Sequence, residues 1–112
     1  MNQEILSSSA VSEGTWHQID HLIAPFTVTV YGFAAGDTAQ IYISDLYDKP
    51  AAVAPASADG TFKYGGDISG DTATEITGSF RWLRVRKSVA GGAPATTKAR
   101  VFGQEKFSLC PV

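Results

Sequence analysis

The chain has 112 residues, 44% of them apolar and 18% charged, with a net charge of −2 and a single cysteine, Cys110. A chain of this length buries roughly two-thirds of its unfolded surface in one core, so one domain is expected. One cysteine excludes an internal disulfide scaffold and favours synthesis in a reducing cytosol. The opening stretch MNQEILSSSAVSEGTW has neither a basic n-region nor a long apolar run, so no signal peptide is expected, and no stretch approaches the roughly 20 apolar residues of a membrane helix.

In chain order, residues 1–14 are polar and Ser-rich but carry Ile5, Leu6 and Val11. They read as an extended N-terminal arm preceding a domain over residues 15–112. A weak strand follows at Trp16 to Asp20, then the clear alternation FTVTVYG (Phe26 to Gly32), in which Phe26, Val28 and Val30 share a face. AAGD at Ala34 to Asp37 is a tight turn into AQIYIS (Ala39 to Ser44), whose inward set is Ala39, Ile41 and Ile43. Pro50 and Pro55 confine the next segment to an edge or the surface, with a short edge strand near Ala51 to Ala54. ADGT at Ala58 to Thr61 turns into TFKYG (Thr61 to Gly65), followed by a weak strand at Ala73 to Thr77.

FRWLRVRK (Phe80 to Lys87) places Leu83 and Val85 on one face, flanked by Arg81 and Lys87, and Phe80, Trp82, Arg84 and Arg86 on the other. The Gly-rich loop SVAGGAPA leads to TTKARVFG (Thr96 to Gly103), where Lys98, Arg100 and Phe102 alternate with inward Thr97, Ala99 and Val101. KFSL at Lys106 to Leu109 is a possible last strand. Helical periodicity is nearly absent, so the fold is read as all-β, a single antiparallel β-sandwich of jelly-roll or immunoglobulin-like type.

Chemistry is sparse. His17 and His21 have no cysteine at motif spacing and no third histidine to complete a zinc site, and Asp67, Asp71 and Glu75 match no EF-hand spacing. No nucleophile elbow or phosphate-binding glycine loop is present. The expectation is no enzyme and no cofactor.

The residues singled out are Phe80, Trp82, Arg84, Arg86, Lys98, Arg100 and Phe102. If the last two long strands form a hairpin, one register sets these side chains on a single cationic and aromatic face. Such a face suits single-stranded nucleic acid or a protein interface. The acidic balance disfavours phosphate, and the face could also be ordinary sandwich structure.

Charge is unevenly distributed. In residues 1–80, ten acids face two lysines, a net of −8, whereas in residues 81–112 seven cations face Glu105, a net of +6. Such a dipole predicts oriented packing between copies or docking on an acidic partner.

The order FTVTVYGFAAGDTAQIYIS, ADGTFKYGG, FRWLRVRKSVAGGAPATTKARVFG resembles the small β-sandwich structural proteins of tailed-bacteriophage virions. The shared elements are a G-[FL]-x-x-G-D-T turn, a DGTF turn, and a late LRV-x-K strand leading into A-x-V-x-G. The resemblance covers about residues 26–103. Immunoglobulin-like modules of bacterial surface proteins share the DGTF turn. The resemblance implies a virion protein made in the host cytoplasm, of capsid decoration (cement) type, binding the major capsid protein or other virion proteins as a homo-oligomer, with a trimer suiting quasi-threefold positions. Neck, adaptor or tail components are alternatives of the same class. A carbohydrate- or receptor-binding module using Trp16, Trp82 or tyrosines is the alternative of a different class.

Overall fold

The computed structural model describes residues 1–51 and 60–106. Within them the chain is all-β: β1 (Asn2–Ser8), β2 (His17–Gln18), β3 (Phe26–Tyr31), β4 (Thr38–Ser44), β5 (Thr61–Lys63), β6 (Thr72–Ile76), β7 (Trp82–Val89) and β8 (Thr97–Phe102). Two four-stranded antiparallel sheets, β1-β8-β3-β6 and β2-β7-β4-β5, pack into a sandwich. The pairs β1·β8, β2·β7, β3·β6 and β4·β5 are those of one long hairpin folded between β4 and β5. Rolling that hairpin up adds β3·β8 and β4·β7. This is the jelly-roll order.

The alternation read from the sequence fixes which side of each strand is buried. Phe26, Val28, Val30, Ala39, Ile41, Ile43, Leu83, Val85, Ala99 and Val101 fill the space between the sheets, as expected for strands with one face on a core. Burying such side chains stabilises by about 1.5–3 kcal/mol each relative to exposure.

Two expectations are corrected. The last two long strands are not a hairpin: β7 lies between β2 and β4 in one sheet, and β8 lies between β1 and β3 in the other. The loop between them, and the Ala34–Asp37 turn between β3 and β4, therefore cross from sheet to sheet. Residues 1–14, expected as an arm, are wired into both sheets. β1 pairs with β8 through a bulge between Glu4 and Leu6, and that extra residue lets consecutive Ile5 and Leu6 both turn inward. Ser12 then exchanges both backbone hydrogen bonds with Lys87 (3.0 and 2.8 Å) in the other sheet. Gly14 makes that crossing possible: its φ is +72°, and a Cβ there would sit 2.1 Å from the Val85 carbonyl oxygen.

The edge strand near Ala51 to Ala54, the last strand at Lys106 to Leu109, the start of the ADGT turn, and Cys110 lie wholly or partly outside the described residues.

Candidate functional site

The jelly-roll wiring decides where the charged residues go. Because β1 meets β8 and the segment around β2 meets β7, acids from the start of the chain land beside bases from its end. Arg81 Nη1 bonds Asp20 Oδ2 at 3.0 Å. Arg86 Nε donates to both Glu13 oxygens at 3.0 Å, and Arg84 Nη1 lies 3.4 Å from Glu13 Oε1. Lys87 pairs with Asp37 at 3.4 Å, and Arg100 Nη1 lies 3.9 Å from Glu4. Five of the seven cations after residue 80 are thus matched to acids from the first forty residues. The linear charge dipole collapses in space, and the docking inferred from it loses its basis.

Arg84 lies on the outer face of the β2-β7-β4-β5 sheet and is only 1% exposed. Its guanidinium stacks between the rings of Trp16 (4.8 Å) and Tyr42 (5.1 Å), a cation–π arrangement favoured by desolvation. Burial lowers its pKa and Glu13 opposes that shift, so the group stays charged. Arg86 Nη1 donates to Gln40 Oε1 (3.1 Å), which also accepts from the Tyr42 hydroxyl (3.0 Å). Gln40 Nε2 in turn donates to Asp67 (2.9 Å), whose carboxylate is paired with Lys63.

The indole N–H groups of Trp16 and Trp82 donate to the backbone carbonyls of Ala51 (3.2 Å) and Leu46 (3.0 Å). Both tryptophans therefore hold the chain leaving β4 against this sheet. Phe80 is half-buried against the core, edge-on to Tyr64 with ring centroids 6.3 Å apart.

The seven residues singled out in the sequence are consequently not one face. Phe80, Trp82, Arg84 and Arg86 are committed largely within the chain. Lys98, Arg100 and Phe102 stand on the outer face of the opposite sheet, with Thr27, Thr29 and Tyr31 on the neighbouring strand. Strand periodicity placed the side chains of β7 and β8 on the correct sides, whereas Phe80, expected outward, precedes β7 and packs against the core; strand partners depend on the whole topology.

The most fully satisfied polar cluster was not foreseen. Lys87 points inward, fully buried with Asp37. Its Nζ donates to the carbonyls of Ser8 (3.3 Å), Ser9 (3.2 Å) and Ala95 (2.7 Å). Asp37 accepts from the backbone N–H of Gly91 (2.8 Å), Ala34 (2.9 Å) and Ala95 (3.0 Å). Those bonds, Gly91's foremost, hold the Asp37 carboxyl well below the usual range. One ion pair thus fastens the β1–β2 crossover, the β3–β4 turn and the β7–β8 loop. The signal in the sequence was a lysine in register with Leu83 and Val85 on the inward face.

The other end of the sandwich is built differently. Of seven large apolar side chains exposed among the described residues, the strand register sets Phe62 and Phe102 toward this end, and Ile23, Leu46 and Tyr47 lie on the connections there. Tyr47 is 82% exposed, although the Arg81 guanidinium lies 5.3 Å from its ring, and Phe62 is 62% exposed. Beside them a cleft of about 90 Å³ is lined by Ile19, Leu22, Phe26 and Phe80, with Asp45 and Lys106. That is far below the ~300 Å³ of a small-molecule pocket and suits a single side chain.

Among the described residues no three His, Cys, Asp or Glu side chains come together as metal ligands. The acids of GGDISGDTATE are engaged separately: Asp67 with Lys63 and Gln40, and Asp71 as acceptor from Gly32 N–H at 3.1 Å. No helix among them is long and apolar enough to cross a membrane. Comparison with protein-family models, curated proteins and solved structures finds no match.

Proposed function

We propose that this chain is a non-enzymatic structural protein of a tailed-phage virion, of the decoration type, which binds the capsid shell by protein–protein contact and acts as a homo-oligomer, a trimer suiting quasi-threefold positions. The observation that carries the reading is that Ile23, Leu46, Tyr47, Phe62 and Phe102, five of the seven exposed large apolar side chains among the described residues, lie toward one end of a jelly roll in which five of the seven cations after residue 80 are paired within the chain. Exposed apolar patches of this kind mark protein contacts. The jelly roll is an architecture of viral capsid and lectin domains, which is support by analogy.

The test is co-sedimentation of the purified protein with expanded, undecorated shells of the phage that encodes it, together with the melting temperature of those shells. Saturable binding and a stabilised shell are expected. No binding, and no change in shell stability, would remove the reading.

A carbohydrate- or receptor-binding module is the second reading, favoured by the solvent-facing rings of Tyr47 and Phe62. Trp16, named above as a stacking platform, is buried under its own chain. Glycan binding abolished by Tyr47→Ala would turn the assignment that way.

A further inference from the structure

We infer that the contact surface is the end of the sandwich bearing Leu46, Tyr47 and Phe62, and that it fits a protein surface presenting apolar side chains ringed by lysine or arginine. This rests on the decoration reading and reverses the polarity of partner that the sequence suggested.

Once the ion pairs are removed from the account, the charges left without an ion-pair partner among the described residues are informative. Asp45, Asp48, Glu75 and Glu105 lie toward this end, against Lys49, Lys106 and the Met1 ammonium, which donates to the Gly103 carbonyl. The basic side chains that seemed available, Arg81, Arg84, Arg86 and Arg100, are each opposed by an acid of the same chain. What remains outward here is apolar area with a net acidic border.

Apolar anchors supply affinity while border charges steer encounter and select the partner. A basic surface is therefore attracted, and an acidic one repelled. The cleft beside Phe80, lined by Asp20, Asp45, Arg81 and Lys106 as well as by apolar groups, has room for one side chain from the partner.

The opposite end offers no comparable surface. Its loops are closed over the Lys87–Asp37 pair, and among the described residues it exposes only Val11 and Val89 of the large apolar side chains. It therefore serves as the internal control.

The experiment measures binding to undecorated shells for four proteins: the wild type, Tyr47→Ser/Phe62→Ser, Asp45→Lys/Asp48→Lys, and the control Val11→Ser/Val89→Ser. Expected are a loss of about tenfold or more in affinity for the first double variant and a several-fold slower association for the charge reversal, with weaker salt dependence than the wild type. The control should bind within about twofold of the wild type. Unchanged melting temperatures verify folding; should the double variant fail to fold, Tyr47→Ser alone, at a largely exposed side chain, reads the same surface.

If the wild type binds and the Tyr47 and Phe62 variants bind equally well, the surface assignment is wrong while the decoration reading stands. If the wild type does not bind shells, both fall. If free protein self-associates through Tyr47 and Phe62, the occupant is a second copy and the inference is overturned.

Discussion

At one end of the sandwich three loops close around Lys87 and Asp37, whose side chains make six hydrogen bonds to the backbone of those loops. At the other, aromatic and aliphatic side chains stand in water beside a narrow cleft. The two ends share strands but not physical logic. Where charges are buried, specificity is directed inward, because an uncompensated ion in a dry site is costly. Where apolar groups are exposed, part of the hydrophobic driving force remains unused for folding and is left for association. Substitutions at the clasp should therefore appear as lost stability, and those at the apolar end as lost binding.

The largest effect on stability is expected from Lys87→Met, which strands Asp37 and three backbone carbonyls without their cation. A loss of about 3 kcal/mol or more is expected in urea unfolding. A loss below about 1 kcal/mol would mean the three loops are held by their backbone bonds alone.

Next is Trp16→Ala, which uncovers one face of the Arg84 guanidinium and leaves a void beside it, with a cost of about 3 kcal/mol. Gly14→Ala should cost about 2 kcal/mol through strain at a positive φ and collision with the Val85 carbonyl. Shell binding by whatever fraction remains folded should be unchanged in both. Reduced affinity in well-folded protein would restore the outer face around Arg84 as a contact surface.

Acid sharpens the comparison. The folded pKa of Asp37 lies below its ordinary 3.8, so the unfolded chain binds the proton more readily, and the pair's contribution is fully present above that value. It drains as the pH falls below about 4 toward the folded pKa. Asp37→Asn should flatten this acid limb in thermal melts from pH 5 to pH 2, and an unchanged limb would assign acid sensitivity to other carboxylates.

A smaller contribution comes from His17, whose pKa is lowered first by burial and then by Lys49. Its neutral form is favoured in the fold, so stability should decline as the pH drops through 6.5, and His17→Gln should remove that slope.

The smallest stability change, within about 0.5 kcal/mol, is expected for Tyr47→Ser, since the side chain is mostly in water already. A destabilisation above 1 kcal/mol would show that this ring is held by the fold.

The sequence by itself determined much of the strand content and the sidedness of the long strands. FTVTVY, QIYIS, WLRVRK and TKARVF alternate with period two, and a half-buried sheet admits no other phase without exposing its core. It also carried the all-β sandwich, because turn residues recur between short β-branched runs.

Only the tertiary structure decided the partners. That β1 was a strand and not an arm was hidden by its bulge, which breaks the alternation at Ile5 and Leu6. That β7 and β8 lie in different sheets was hidden because a Gly-rich loop can close a hairpin or cross between layers equally well. The consequence was largest for charge. A linear surplus of bases near the C-terminus became internal ion pairs because rolling the hairpin brings the two halves of the chain together. Coulomb interaction acts over a few ångströms of space, whatever the distance along the chain.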